Sequence, residues 1–479
     1  MIPAVANSLW LAACVPELVR FHRATRNVRG EQETLLRRLL TRNANSIFGH
    51  AHNFAAIRSI DDYRARVPLR TYEELEPWLL SGAATSEPVR LFEPTGGSSG
   101  ASKLIPYTAS LQREFQRAIR AWIADLLLHD RGLLGGRAYW QVTPPVAQRT
   151  SHNGIPIGFD SDAAYVGGWQ QRLLERALIV SNDDLPHARD LRLLSVWNPT
   201  LLTLLVERLG RPPAELWPEL RLISCWTDAN AAGPAAQLAK LFPNVRIQGK
   251  GLIATEGFVS IPLHAADAPA LAIRSHFFEF LPDDDAARPQ LAHELERGQR
   301  YSVVLTTGGG LYRYRLNDVV EVTGRIHDCP TIRFAGRLHV SDWFGEKLHE
   351  AYVAGALRQA FNAFDVVPSF AMLACDPDIP AYVLYIDADG PLTAIADHIE
   401  TTLRRTFHYD HARRLGQLHA VRPLRVDRGA EHYLIAATAQ GRRAGDVKPV
   451  ALDVQPFATS ARRSRTRADR PYGIEARTS

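Results

Sequence analysis

Residues 95 to 108 read TGGSSGASKLIPYT, with Gly96, Gly97, Gly100, Ser98, Ser99 and Lys103 falling within eight positions. A run of this kind lets backbone N–H groups and hydroxyls curl around a polyphosphate, with one mobile ammonium beside them. It is not a Walker-type loop, because GxxxxGK[ST] cannot be fitted onto it. The scarcity of lysine adds weight. Only five of the 56 basic residues are lysine (Lys103, Lys240, Lys250, Lys347 and Lys448), and all the others are arginine. An ammonium is a compact charge on a flexible stem and a guanidinium a rigid planar fork, so the two do not substitute at a tight phosphate contact. Lys240 and Lys250 fall in no recognisable motif and read as surface residues.

Other polar residues leave alternatives open. Asp318 stands in a strand-rich, apolar stretch, LYRYRLNDVVEVTG, where a lone carboxylate needs a partner or a ligand. A structural ion pair with Arg313 or Arg315 would also satisfy it. In GLIATEG (251 to 257), Thr255 could simply cap a helix ahead of Glu256. The 17 histidines show no Ser-His-Asp pattern and no metal-ligand spacing, and His408 and His411 read as structural. Cys14, Cys225, Cys329 and Cys375 lie far apart without CxxC spacing, so buried free thiols are expected rather than disulfides or zinc.

A chain of 479 residues exceeds what one hydrophobic core organises, so at least two domains must position these groups. Residues 31 to 49 read as an amphipathic helix. After the Gly-Ser loop, Thr108 or Ser110 can cap a helix whose Leu111, Phe115, Ile119, Trp122 and Leu126 form one buried stripe. That arrangement reads as strand–loop–helix, with the helix N-terminus adding positive potential at the loop. Helical patterns continue through 170 to 179 and 199 to 209. Strands are expected at 221 to 226, 244 to 248 and 275 to 281, then from Tyr301 through GGG (308 to 310) to FAGR at 334 to 337. Beyond lies a compact α+β pattern with a helix from Leu392 to Phe407. The expected division is a large α/β domain over 1–337, a smaller α+β domain over 338–456 and a basic tail over 457–479.

That tail carries most of the net charge of +5: residues 458 to 479 hold six Arg against Asp469 and Glu475. The body is close to neutral and has no basic stripe with interleaved aromatics, which argues against nucleic acid as a partner. The apolar run around Leu9 to Val15 falls short of the ~20 residues that span a bilayer, and it lacks a basic flank. It reads as a helix and not a signal peptide. A cytoplasmic protein with no membrane partner is expected.

Taken in order, SSGASKLIPYT, GLIATEG, FFEFLP (277 to 282), GLYRYRLNDVVEVTG, FAGR, GDVKP (445 to 449) and YDHARRLGQLHAVRPLRV (409 to 426) resemble the adenylate-forming ligases. More closely, they resemble the Gretchen Hagen family of auxin-responsive acyl-acid amido synthetases. The resemblance covers nearly the whole chain to about residue 455. It implies a large domain and a small mobile cap, and an enzyme that activates a carboxylic acid with ATP and passes the acyl group to an amine, usually an amino acid. It implies that Ser98, Ser99 and Gly100 grip phosphate with Lys103 nearby, and that Thr255 and Glu256 stand at the α-phosphate and Mg2+. It further implies that Asp318 accepts from the ribose hydroxyls and that Arg337 is the hinge. Lys448, of the small domain, would neutralise charge during the reaction, and Lys347 would pair with Glu346 or contact nucleotide. Asn317 stands where the family commonly has Gly. The acyl pocket would be lined by 110 to 126 and 224 to 232, with Arg117 or Arg120 as options for meeting the acid. A monomer is expected. A thiol acceptor, as in acyl-CoA ligases, and a non-catalytic binding protein of the same fold are the rival readings.

Overall fold

In a computed structural model of the chain, the described residues are 2–95, 103–140, 149–151, 154–158, 177–179, 184–282, 288–338, 340–341, 343, 346, 348–376, 379–439, 447–448 and 450–453. Ser98, Ser99, Gly100 and Lys347, most of the stretch 170 to 179 and the basic tail lie outside them. The chain divides into two compact units, Met1–His339 and Val340–Ser479.

The first unit begins with helices α1 (Ile2–Ala24), α2 (Val28–Arg42), α3 (Ile47–Ala51), α4 (Ile60–Arg66) and α5 (Tyr72–Leu80). Helix α1 is longer and more apolar than the sequence pattern suggests. Its segment Pro3–Ala24 has the length and composition of a membrane span. One face nevertheless belongs to the protein core, through Trp10, Cys14, Leu18 and Phe21. Strands β1 (Leu91–Pro94) and β2 (Leu104–Tyr107) pair antiparallel, and helix α6 (Ala109–His129) follows directly. The buried residues of α6 include Leu111, Phe115, Ile119, Trp122 and Leu126, the stripe expected from their spacing.

Next comes a parallel sheet. Strands β3 (Arg137–Trp140), β6 (Leu178–Ile179), β7 (Leu191–Ser195), β8 (Leu222–Cys225) and β9 (Arg246–Gly249) lie in the order β6-β3-β7-β8-β9. The short strands β4 (Arg149–Thr150) and β5 (Pro156–Ile157) join the β1–β2 hairpin instead. The parallel sheet is linked by helices α7 (Pro199–Leu209), α8 (Pro213–Leu216) and α9 (Ala232–Leu241). From β3 the chain passes to one side for β6 and to the other for β7. Such a reversal opens a crevice at the carboxyl ends of the strands, the usual ligand position in open α/β sheets.

A small hairpin, β10 (Ile253–Ala254) and β11 (Gly257–Phe258), leads into an antiparallel sheet of seven strands. These are β12 (Ser260–Ile261), β13 (Ala270–Leu271), β14 (Phe277–Pro282), β15 (Gln290–Leu291), β16 (Arg300–Thr306), β17 (Tyr314–Ile326) and β18 (Cys329–Arg337). Glu279, in the middle of β14, is buried between two guanidinium groups, Arg64 and Arg313, each at 2.8 Å. Arg313 is therefore committed to Glu279, which rules it out as the partner of Asp318.

The second unit holds a four-stranded sheet in the order β23 (His419–Arg425), β22 (Ala381–Asp387), β21 (Phe370–Asp376), β24 (Leu452–Asp453), after a short ladder of β19 (Val340–Ser341) and β20 (Leu348–His349). Alternation along β21 explains its two covered faces. Leu373 and Cys375 pack with α10 (Glu350–Ala363) and α11 (Leu392–Leu403), while Met372 and Ala374 pack with Tyr433 and Ala437 of α13 (Gly429–Ala439). The helix expected to run from Leu392 to Phe407 is two helices, since Phe407 opens α12 (Phe407–Arg414).

All four cysteines are free and buried. Burial pushes the thiols of Cys14, Cys225 and Cys375 up to about 12 and that of Cys329 still higher. Because only the thiolate attacks alkylating reagents, native protein should take up essentially no iodoacetamide at pH 8, and all four sites should label in urea. Rapid labelling of any of them in native protein, read by intact mass, would contradict this burial.

Candidate functional site

The Gly-Ser loop is the tip of a hairpin and not the entrance to a helix. Strand β1 pairs with β2 from Leu91↔Tyr107 to Pro94↔Leu104, and the Thr95 N–H donates to the Lys103 carbonyl at 2.8 Å. Residues 96–102 therefore connect two strands. The expected helix dipole is also spoken for. At the start of α6 the Leu111 N–H donates to the Thr108 hydroxyl, and the Ser110 N–H donates to the Glu87 carboxylate at 2.8 Å. A carboxylate already occupies that N-terminus. The Lys103 ammonium lies 5.3 Å from the centre of the Tyr72 ring, a distance at which the ring face attracts a cation.

Thr255 and Glu256 do not start a helix. They form the two-residue turn of the β10–β11 hairpin, with Ala254 opposite Gly257. The turn is held from the β2 side, where the Tyr107 hydroxyl donates to the Thr255 carbonyl at 3.0 Å. It is held again from β17, where the Tyr314 hydroxyl donates to Glu256 Oε1 at 3.2 Å. Glu256 is only 8% exposed. Its charge reaches the phenols of Tyr314 and Tyr72. Burial first, and then Glu256, holds the Tyr314 hydroxyl far above its ordinary range, and burial chiefly lifts Tyr72 to about 12. Both phenols thus remain protonated donors across the working pH range.

Asp318 owes its position to a bulge. Opposite β16, Arg315 pairs with Val304 and Val319 with Ser302, so three residues of β17 face the single residue Val303. Asn317, inside the bulge, has φ +63°, a left-handed conformation that asparagine tolerates better than most non-glycine residues. On its other side Asp318 lies opposite Arg337 of β18, whose Nε donates to Asp318 Oδ1 at 2.8 Å. Asp318 Oδ2 is fully buried and makes no hydrogen bond among the described residues. A carboxylate that is paired through one oxygen and orphaned at the other keeps an unused acceptor for hydroxyl donors. Arg337, expected as a hinge, is in this structure the counter-ion of Asp318.

Lys250 corrects the expectation of a surface residue. It follows β9 at the carboxyl end of the parallel sheet and is 6% exposed. Its ammonium donates to the Ser195 hydroxyl and stands 4.8 Å from the Trp197 ring centre and 5.7 Å from that of Trp122. Trp122 comes from α6 and Ser195 from the end of β7, so this aromatic cluster lies where the strand order reverses. Arg117 instead donates to the Arg274 carbonyl at 2.9 Å, and Arg120 donates to Gln116 Oε1 at 3.4 Å. Lys448 is half-buried in the second unit beside the buried Val447. Among the described residues no group of three His, Cys, Asp or Glu side chains is arranged to hold a metal.

Thr255, Glu256, Asp318 and Arg337 are thus gathered around Tyr314, with Lys103 on the hairpin that braces the same turn. Tyr314 escapes a motif search but had a signal. It lies four residues before Asp318 on a strand, and residues 314, 316 and 318 are all buried.

A model of the GH3 family N-terminal domain matches residues 17–175, and one of the GH3 family central domain matches residues 270–337. The chain belongs to the GH3 family. Among its curated relatives, a probable indole-3-acetic acid-amido synthetase GH3.6 of Oryza sativa subsp. japonica is 31% identical over 30% of this GH3 chain and 32% of its own length. A GH3 domain-containing protein of Mus musculus is 28% identical over 36% of each chain. These two matches therefore span about a third of the relatives' length. The indole-3-acetic acid-amido synthetase GH3.2 of Arabidopsis thaliana aligns more widely, at 23% identity over 71% of this chain and 80% of its own. The fold is that of the adenylate-forming enzymes. The solved AtGH3.15 acyl acid amido synthetase in complex with 2,4-DB superimposes with a TM-score of 0.77 over 96% of both chains, at 17% identity. A 2-hydroxyisobutyryl-CoA ligase superimposes with a TM-score of 0.54, over 91% of this chain and 90% of its own, at 12% identity.

Proposed function

We propose that this protein is an ATP- and Mg2+-dependent ligase that activates a small carboxylic acid as an acyl-adenylate and conjugates it to an amine, that of an amino acid. The observation that carries this reading is the buried Oδ2 of Asp318, unpartnered among the described residues and placed with Arg337 and the Thr255–Glu256 turn around Tyr314.

The residues present suit the groups this reaction needs. Asp318, paired through Oδ1 with Arg337, accepts from ribose hydroxyls through its other oxygen. Ser98, Ser99, Gly100 and Lys103 hold phosphate oxygens, and Thr255 faces the α-phosphate. Mg2+ takes oxygen ligands and uses only one or two protein carboxylates beside substrate phosphates, which suits the single carboxylate of Glu256. The ion would supply neutralising charge where the acid attacks phosphorus. Tyr314 orients the carboxylate that holds it. The acid would lie against Trp122 and the 224–232 segment, near Lys250. Lys448 would neutralise charge in one half-reaction. The enzyme would work as a cytoplasmic monomer, without nucleic acid or membrane partners.

Because thiol-using and amine-using ligases share this fold, the product decides the acceptor. Purified protein is incubated with ATP, Mg2+, a panel of aromatic and aliphatic acids, and either the common amino acids or coenzyme A. AMP formed in step with an amide is the expected result. A thioester would replace the amine acceptor, and ADP as the nucleotide product would overturn adenylation altogether.

A further inference from the structure

We propose that His276 is a positioning residue that sets the height of the Thr255–Glu256 turn, an inference that rests on the catalytic role given to that turn above. His276 is fully buried just ahead of β14 and takes no part in the proposed chemistry. Its Nε2 accepts the Phe258 backbone N–H at 2.9 Å. A backbone N–H can only donate, so this nitrogen carries the lone pair and the ring proton sits on Nδ1. There it faces Glu114 Oε2 at 2.9 Å. Glu114, on α6, accepts in turn from the Gly308 N–H, at 3.0 Å to each oxygen.

The result is a buried chain of hydrogen bonds from the GGG turn through α6 to the hairpin that bears Glu256. Phe258 is only two residues beyond Glu256. Packing shows how closely the hairpin rests on the imidazole: a Cβ at Gly257 would stand 3.1 Å from His276 Nε2 and 3.0 Å from Leu305 Cδ1. The far end is as tight, since a Cβ at Gly308 would meet Glu114 Oε1 at 2.6 Å. Tyr107 and Tyr314 hold the top of the turn, and His276 fixes the strand that leaves it. Catalytic geometry is sensitive on this scale, where a displacement of about 1 Å can cost on the order of a hundredfold in rate.

Two substitutions separate positioning from bulk stability. The amide of His276→Gln reaches the place of Nε2, so it can still accept from Phe258 while giving up Glu114. The amide of His276→Asn reaches the place of Nδ1, so it keeps Glu114 and leaves the Phe258 N–H bare. Each loses one buried hydrogen bond, so both should lower Tm by a similar amount. In acid-dependent ATP–pyrophosphate exchange, His276→Gln should stay within about threefold of the parent. His276→Asn should lose kcat by roughly 30- to 100-fold with KM for ATP little changed. Amide hydrogen exchange over 253–258 should quicken in the Asn variant alone.

Equal losses in both variants, or a difference in Tm without one in kcat, would overturn the proposal. If the parent exchanges with no acid at all, the proposed function fails. Positioning is then judged from amide exchange and from the Mg2+ dependence of ATP binding, where identical behaviour of the two variants counts against it.

Discussion

Replacing Glu256 with glutamine should lower acid-dependent ATP–pyrophosphate exchange by roughly 10²- to 10³-fold, the usual cost of losing one preorganised electrostatic contact to a transition state. The substitution is nearly isosteric. Glutamine still presents an oxygen to the Tyr314 hydroxyl, which lies 3.2 Å from the carboxylate. Only the charge disappears, from a side chain 8% exposed. Thermal unfolding should change little, so the loss would report a missing negative charge and not a collapsed turn. Tyr314→Phe makes the complementary change, since it keeps the charge and removes the hydroxyl that orients it. A smaller loss of about twentyfold is expected there, within the range for one hydrogen bond to a charged group. Unimpaired exchange by the Glu256→Gln enzyme, at any Mg2+ concentration, would remove Glu256 from the site.

Asp318→Asn should raise KM for ATP by about a hundredfold, because hydrogen bonds to a charged acceptor contribute about 1.5–3 kcal/mol each. Asp318 Oδ1 is engaged by Arg337 at 2.8 Å, while Oδ2 is buried without a partner among the described residues. An amide satisfies neither requirement well, since one of its two polar atoms has become a donor. Varying the ligand avoids any question of folding. The unaltered protein should discriminate against 2′-deoxy-ATP and 3′-deoxy-ATP, and the Asp318→Asn variant should lose most of that discrimination. Equal use of ATP and both deoxy analogues by the unaltered protein would refute ribose recognition at Asp318.

Much of the strand and helix pattern was legible in the sequence because periodicity reports burial directly. The α6 stripe is an example. The site was legible as a set of short motifs, but its connections were not. Nothing in TGGSSGASKLIPYT distinguishes a loop before a helix from the tip of a hairpin, because four residues, Leu104–Tyr107, suffice to form the return strand. ATEG likewise satisfies helix-cap chemistry and is decided only by the pairing of Ile253 with Phe258. Lys250 looked like a surface residue since lysine usually is one. Its burial comes from two indoles, Trp122 and Trp197, that are distant in sequence. His276 was unreadable for the same reason, because its partners Glu114 and Phe258 lie 162 and 18 positions away. By contrast, Asn317 stood out only as a departure from the glycine that the resemblance leads one to expect. At φ +63° it is what permits the bulge that turns Asp318 inward.

The closed hairpin beneath the Gly-Ser loop has implications for how such a site can diversify. Thr95 and Lys103 join the two strands before residues 96–102 begin, and Tyr107 reaches Thr255 from the far side of that closure. The segment 96–102 is therefore carried on a fixed clasp, apart from the brace under Thr255. Lineages can rewrite its composition, or an engineer can graft a relative's version into it, while the brace under Thr255 stays in place. The composition of 96–102 and the architecture of the hairpin can then evolve as separate traits.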